Sequence, residues 1–301
     1  MSSPRPSAAL PSPAPSSPIV STQWLTDHHG ADDLVVLDAT VLLLAAPGGG
    51  QRFVSGYDQY LVGGHLPGAI FANLLDVFSD PDGAFGFARP SADLFEEAAA
   101  SVGIDNQTRV VVYDGSVGQW AARVWWLFRS FGYDNVSVLD GGLTKWKAEQ
   151  RPTRTGHVAA RTGRRFTATP RPELWVDKAF VESVLAGDTD ASLVCALPPA
   201  EFTGEAGTRP RLGHIPGSVS LPAGRLVDRA TNAFLRGDEL RARVAPATAS
   251  GARVVTYCGV GIAAAASALA LTIAGHPDVA IFDGSLNEWT ADENAPLAVS
   301  V

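Results

Sequence analysis

The stretch "VVTYCGVGIAAAASALAL" occupies residues 254–271 and combines three kinds of local pattern. Its β-branched start predicts a strand, its two glycines predict a tight loop, and its long run of small apolar residues predicts a helix. The thiol of Cys258 stands where the strand ends and the loop begins. Two glycines let successive backbone N–H groups point inward, and the helix start adds the positive end of its dipole. We therefore predict a cradle that favours the reactive thiolate form of Cys258, formed by Gly259, Val260, Gly261, Ile262 and Ala263.

The chain carries the same long pattern twice. Residues 109–146 read "RVVVYDGSVGQWAARVWWLFRSFGYDNVSVLDGGLTKW", and residues 253–289 read "RVVTYCGVGIAAAASALALTIAGHPDVAIFDGSLNEW". Upstream of each lies a second shared motif, "GGHLPGAIFANL" from residue 63 and "LGHIPGSVSLPA" from residue 212. Each copy alternates short apolar strands with helical segments, which predicts an α/β fold with a parallel sheet covered by helices on both faces. In the first copy, Asp114 occupies the position of Cys258.

Composition limits the organisation and the partners of the protein. We predict a Ser/Pro/Ala-rich disordered tail at residues 1–20, a first domain at 21–150, a basic linker at 151–172 and a second domain at 173–301. A formal net charge of −8 argues against binding to nucleic acid, and no apolar run is long enough to span a membrane. Two cysteines are too few for a disulfide scaffold or a structural zinc site. These features predict a cytoplasmic protein with one working thiol and without a metal or an organic cofactor.

The motifs "GHLPGA" and "GHIPGS", together with the two long repeats, resemble those of the tandem-domain rhodaneses. This sulfurtransferase family includes the thiosulfate and 3-mercaptopyruvate sulfurtransferases. The resemblance covers about residues 24–297. It implies two rhodanese-like domains, the first non-catalytic and the second catalytic, with Cys258 carrying sulfur as a persulfide. The implied partners are a small anionic sulfur donor and an acceptor such as cyanide, a thiol or a reduced carrier protein.

A related class of phosphatases needs an arginine six residues after its cysteine, where the guanidinium grips phosphate. This chain has Ala264 at that position, which argues against phosphatase activity. The loop sequence C-G-V-G-I-A is similar to that of mercaptopyruvate enzymes in its glycines and lack of charge. It lacks their two hydroxyl groups, at Val260 and Ala263.

The resemblance also suggests residues that bind the donor. It offers Arg209, or alternatively Arg211, as an anion-binding residue before the "GHIPGS" turn. Glu201 stands where mercaptopyruvate enzymes place a second arginine. A carboxylate at that place is expected to repel an anionic donor.

Two further residues admit two interpretations each. The resemblance gives His65 a catalytic role supplied by the first domain, whereas the residues alone equally allow a role in fixing the turn before Pro67. Cys195 is interpreted as a small buried residue or as a thiol that resolves oxidised Cys258. For the whole chain, the alternatives to an enzyme are a persulfide carrier with little catalysis of its own and a non-catalytic interaction module.

Overall fold

The computed structural model describes residues 17–46 and 51–299. Most of the tail predicted at residues 1–20 lies outside the described residues. Ile19 and Val20, however, are buried and form the first strand, so the predicted tail extends too far. Two apolar residues pair with the sheet here because their side chains complete the core of the first domain.

The first domain contains one parallel sheet, a hairpin and four helices within the described residues. Its strands are β1 (Ile19–Val20), β2 (Leu34–Asp38), β3 (Val41–Ala45), β4 (Gln51–Ser55), β5 (Ile70–Phe71), β6 (Arg109–Tyr113) and β7 (Val136–Leu139). Its helices are α1 (Thr22–His28), α2 (Ala92–Ser101), α3 (Gln119–Ser130) and α4 (Gly142–Ala148), with a π-helical turn at Gln59–Gly63. The sheet order is β1-β7-β6-β2-β5 with every pairing parallel, and β3 and β4 form a separate antiparallel hairpin.

The second domain repeats the parallel sheet. Its strands are β8 (Trp175–Val176), β9 (Ala191–Cys195), β10 (Val219–Ser220), β11 (Arg253–Tyr257) and β12 (Val279–Phe282). Its helices are α5 (Lys178–Ala186), α6 (Pro199–Thr203), α7 (Gly237–Thr248), α8 (Ile262–Ile273) and α9 (Ser285–Ala291). The sheet order is β8-β12-β11-β9-β10, again parallel throughout.

The two sheets have equivalent topology, because each position in one order is taken by its repeat counterpart in the other. The predicted α/β fold with two repeated domains is thereby confirmed. Residues 151–171 contain no helix or strand, and Arg154 in this segment forms an isolated bridge with His65. The domain limits at residues 150 and 172 stay predictions.

The domains meet through equivalent helices, α3 and α8. Helix α3 contributes large buried side chains such as Trp125 and Trp126, whereas α8 is built mainly of buried alanines and leucines. A bulky helix face fits against one of small residues because protein interiors pack at nearly crystalline density. The tryptophans of α3 therefore pack the interior.

Two aspartates add polar contacts of the same kind across the domain interface. Asp140, which follows β7, accepts a hydrogen bond from Phe234 N of the second domain at 2.8 Å. Asp283, which follows β12, accepts one from Arg89 N of the first domain at 2.9 Å. Each carboxylate thus binds a backbone N–H of the opposite domain.

Among the described residues, no helix is both long and apolar enough to cross a bilayer.

Candidate active site

Cys258 lies at the carboxyl end of β11, the central strand of the second sheet. Its backbone is held on both sides, since Cys258 N donates to Ser285 Oγ at 3.2 Å and Cys258 O accepts from Leu286 N at 3.0 Å. The cradle then turns at Gly261, whose φ of +77° lies in the left-handed region, and α8 begins at the next residue. The thiol is well enclosed, with Cys258 only 2% exposed.

The equivalent corner of the first domain holds a carboxylate. Asp114 O accepts from Leu143 N at 3.0 Å, as Cys258 O accepts from Leu286 N. The fully buried side chain of Asp114 accepts four backbone hydrogen bonds, from the N–H groups of Ser116, Gly118, Trp120 and Ala121 at 2.8–3.1 Å. Burial raises the pKa of this carboxyl, whereas the four N–H donors stabilise its ionised form. In the first domain, therefore, this strand-to-helix corner is built to surround an anion.

The repeat relates this set of donors to the cradle of Cys258. Gly118 and Gly261 are equivalent, because each precedes its helix with a left-handed φ, +83° and +77° respectively. Counting from these glycines, the N–H groups of Gly261, Ala263 and Ala264 correspond to three of the four that bind Asp114. Ala264 was not among the predicted cradle residues, although alignment of the two repeats would have included it.

Arg209 lies directly against the cradle. A Cβ on Gly259 would come within 3.2 Å of Arg209 Nη1, so the glycine lets the guanidinium approach the backbone of the loop. Arg209 Nη2 also donates to Glu201 Oε2 at 3.0 Å, and both side chains are partly buried. Glu201 thus pairs with the arginine and offsets part of its charge.

Arg211, the alternative to Arg209, is engaged elsewhere. Its Nη1 donates to Asp292 O at 2.7 Å and its Nη2 donates to Ala295 O. These carbonyls belong to the segment that follows α9. Arg211 therefore holds the end of the second domain, and of the two arginines only Arg209 contacts the cradle.

His65 is fully buried in the first domain. Its ring stacks on Tyr60 with centroids 3.9 Å apart, and its Nδ1 and Nε2 lie 2.9 and 3.0 Å from Leu66 O and Gly156 O. Its repeat counterpart His214 stacks on Phe202 in the same manner, at 3.7 Å. Both ring nitrogens of His65 are occupied by backbone carbonyls, so this placement favours the turn-fixing role over the catalytic one.

Cys195 is the last residue of β9 and pairs in register with Tyr257 of β11, next to Cys258. Its counterpart in the first domain, Asp38, pairs with Tyr113 in the same way. Burial raises the pKa of the Cys195 thiol to about 12, so the thiol is protonated at neutral pH. A protonated, fully buried thiol is a poor nucleophile, which favours the interpretation of Cys195 as a packing residue.

Three residues around the cradle were missed in the sequence. Ser285 accepts a hydrogen bond from Cys258 N at its Oγ and so holds the backbone of the cysteine. The φ of Ser285, +50°, is close to the +51° of its counterpart Gly142. Arg123 of α3 reaches across the domain interface to Asp283, with Nη2 2.6 Å from Oδ1. The available signals were the change from "LDGG" to "FDGS" between the repeats and the charge of Arg123 in the apolar middle of a helix.

The fold and this corner define a class of two-domain α/β proteins with a single loop cysteine in the second domain. The family model "Rhodanese-like domain" matches residues 21–149 and 185–292. The chain therefore belongs to the family of proteins with rhodanese-like domains.

Two sulfurtransferases align with this chain over nearly their whole length. The chain is 31% identical over 282 residues to the 3-mercaptopyruvate sulfurtransferase of Escherichia coli, covering 92% of this chain and 96% of that protein. It is 33% identical over 284 residues to the thiosulfate sulfurtransferase of Gallus gallus, covering 90% and 92% of the two chains. A crystal structure of a 3-mercaptopyruvate sulfotransferase from Escherichia coli superposes with a TM-score of 0.77 at 30% identity, covering 90% of this chain and 99% of that one. The prediction of a sulfurtransferase of the tandem rhodanese type is confirmed.

Proposed function

We propose that this enzyme moves a sulfur atom from thiosulfate or 3-mercaptopyruvate to a thiophilic acceptor through a persulfide on Cys258. The observation that carries the proposal is the carboxylate of Asp114, which four backbone N–H groups bind in the equivalent corner of the first domain. A thiolate and a persulfide are both anions. The loop from Cys258 to Gly261 is one residue shorter than the loop from Asp114 to Gly118, but it leads into its helix through an equivalent left-handed glycine. This correspondence supports a cradle of N–H groups that stabilises the nucleophile before the reaction and the sulfur adduct after it.

In the first half-reaction, the Cys258 thiolate attacks the transferable sulfur of the donor. A sulfur–sulfur bond forms to Cys258 while the bond between that sulfur and the rest of the donor breaks. The leaving group takes the electron pair of the broken bond. It is sulfite from thiosulfate, or the enolate of pyruvate from 3-mercaptopyruvate, which then takes up a proton.

In the second half-reaction, the acceptor attacks the outer sulfur of the persulfide. The bond between the two sulfurs breaks, and its electron pair returns to Cys258 as the thiolate. Cyanide leaves as thiocyanate, whereas a thiol, including one on a reduced carrier protein, leaves as a persulfide. The enzyme is then ready for another donor.

Arg209 orients the anionic donor, because its guanidinium lies on the cradle backbone at Gly259. Glu201 pairs with Arg209 and lowers the positive charge that the donor meets. Arg211 and His65 are left out of the mechanism, since their polar atoms are engaged by backbone carbonyls.

The test is steady-state formation of thiocyanate with cyanide and each donor in turn. We expect turnover with at least one donor in the wild type and none in Cys258→Ser. Cys195→Ser is the matched control, because it removes the other thiol while leaving the cradle intact, and it is expected to retain turnover. Turnover in Cys258→Ser would contradict the proposal.

The persulfide carrier is the second candidate. It is favoured by the enclosure of Cys258, at 2% exposure, and by the engagement of Arg209 with Glu201. Loading of one sulfur per chain without turnover would support the carrier, and repeated turnover would reject it.

We also propose a cytoplasmic location, because both cysteines are free and catalysis requires a reduced Cys258. Recovery of the protein in a compartment that oxidises thiols would contradict this location.

A further inference from the structure

A buried arginine from the first domain lies under the cradle of the second. Arg123 of α3 is 1% exposed, and its Nη2 donates to Asp283 Oδ1 and to Phe87 O, each at 2.6 Å. Its remaining nitrogens, Nε and Nη1, are buried without a hydrogen-bond partner. The guanidinium lies 4.7 Å from the ring centre of Trp175, which compensates part of the charge. A buried arginine with unpaired N–H groups is costly, so its retention requires an explanation.

The cradle contacts this ion pair at Gly261. A Cβ on Gly261 would lie 2.8 Å from Asp283 O, 3.2 Å from Arg123 Nη1 and 3.4 Å from Asp283 Oδ1. The position of Gly261 is therefore set by Arg123 together with Asp283. The N–H of Gly261 corresponds to that of Gly118, which donates to Asp114 at 3.1 Å in the first domain. A shift of the ion pair would therefore move the N–H group that corresponds to an anion-binding donor of the first domain.

The arrangement is specific to the catalytic side of the molecule. The repeat position of Arg123 in α8 is Ala266, so the opposite side of the interface lacks such a residue. There Asp140 pairs instead with Arg236, whose side chain is 52% exposed. Of the two equivalent corners in the described part of the chain, the one that carries the thiol has the fully buried arginine beside it.

We propose that Arg123 is a positioning residue for sulfur transfer at Cys258, an inference that rests on the proposed function. Arg123 holds Gly261 so that its N–H faces the sulfur, and its positive charge favours an anion on the cradle. It acts through Gly261 and Asp283 without touching the donor. The first domain, although it has an aspartate in place of the cysteine, contributes in this way to the reaction.

The experiment compares Arg123→Met and Arg123→Lys with the wild type. Alkylation of Cys258 by iodoacetamide is followed against pH, and kcat and KM are measured for the donor that the wild type uses. In Arg123→Met we expect the midpoint of the alkylation profile to rise by about one pH unit, because a nearby buried positive charge is lost. We expect kcat to fall roughly tenfold for a shift of that size, with KM changed much less. Lysine, which keeps the charge but not the planar fork, should restore part of both.

Arg129→Met is the matched control, since Arg129 lies on the same helix but pairs with Asp134 near the surface. It should keep the wild-type midpoint and kcat. A wild-type midpoint and kcat in folded Arg123→Met would overturn the proposal, whatever the change in thermal stability. If Arg123→Met does not fold, Arg123→Lys becomes the deciding variant. A wild-type alkylation midpoint and a wild-type kcat in Arg123→Lys would then overturn the proposal. If the wild type transfers sulfur from neither donor, the proposed function fails, and the alkylation midpoints alone still test Arg123.

Discussion

Replacing Asp114 with asparagine tests whether this strand-to-helix corner holds an anion. The substitution keeps the size and shape of the side chain but removes its charge. Each carboxylate oxygen of Asp114 accepts two backbone hydrogen bonds, so either orientation of the new amide turns an NH₂ group towards two N–H donors. Two buried donors then lose their acceptor.

The size of the effect follows from those two donors. A hydrogen bond to a charged group contributes about 1.5–3 kcal/mol, so the gross loss is roughly 3–6 kcal/mol in the free energy of unfolding. A neutral amide is easier to bury than a carboxylate, which opposes the loss. We therefore expect a net decrease of about 3 kcal/mol, near the lower end of that range.

The assay is urea unfolding followed by tryptophan fluorescence, with the native state checked by near-ultraviolet circular dichroism. Asp238→Asn serves as the control, because Asp238 is 98% exposed and pairs with Arg241 at the surface. A surface ion pair contributes about 0–1 kcal/mol, so this control should unfold almost as the wild type does. An Asp114→Asn protein as stable as the control would refute the anion-binding interpretation of the corner, and with it the analogy to Cys258.

Three further predictions concern the second domain. Gly261→Ala should lose about 1–2 kcal/mol of stability from its left-handed backbone alone, and it should also lose sulfur loading. Gly217 has nearly the same φ but open space around it, so Gly217→Ala should lose stability only. Equal sulfur loading in the two variants would contradict this prediction. The pKa of Cys195 is raised to about 12. Iodoacetamide near pH 8 should therefore modify Cys258 and leave Cys195 unmodified until the pH rises towards that value. Rapid labelling of Cys195, detected by peptide mass spectrometry, would refute its protonated state. Glu201→Gln should lower the KM for an anionic donor severalfold, because it removes the carboxylate that pairs with the loop arginine, and an unchanged KM would show that the arginine does not meet the donor.

The sequence predicted the parts of the fold that depend on local pattern. The apolar runs "RVVVY" and "VSVL" are β6 (Arg109–Tyr113) and β7 (Val136–Leu139) in the structure. The internal repeat predicted two like domains, because similar patterns of strands and helices bury their apolar faces in similar sheets. The place of Cys258 between β11 and α8 followed from the same local signals.

Contacts between distant segments could not be predicted in the same way. Glu201 was considered alone, as a charge that repels the donor, whereas the fold brings it to within 3.0 Å of Arg209. The role of His65 depends on the path of the segment after α4, because the carbonyl oxygen of Gly156 in that segment contacts Nε2 of His65. No pattern within the "GHLPGA" motif reveals that path.

The Arg123–Asp283 pair shows what comparison of the repeats could have added. A charged residue among the buried apolar residues of α3 requires a buried partner. The aspartate in "FDGS" is the equivalent of the one in "LDGG", and both lie at carboxyl ends of strands where sites form in parallel sheets. The pairing of Arg123 with Asp283, however, depends on how the two domains pack, which the sequence of either domain alone does not specify.

The most direct test of the account is the mass of the protein after incubation with each donor in the absence of an acceptor. We predict the addition of one sulfur atom to the wild type, mapped to the peptide that contains Cys258 and lost on adding cyanide. Cys258→Ser should gain none. Sulfur bound to Cys195, or thiocyanate formed without any adduct on Cys258, would contradict the proposed persulfide mechanism.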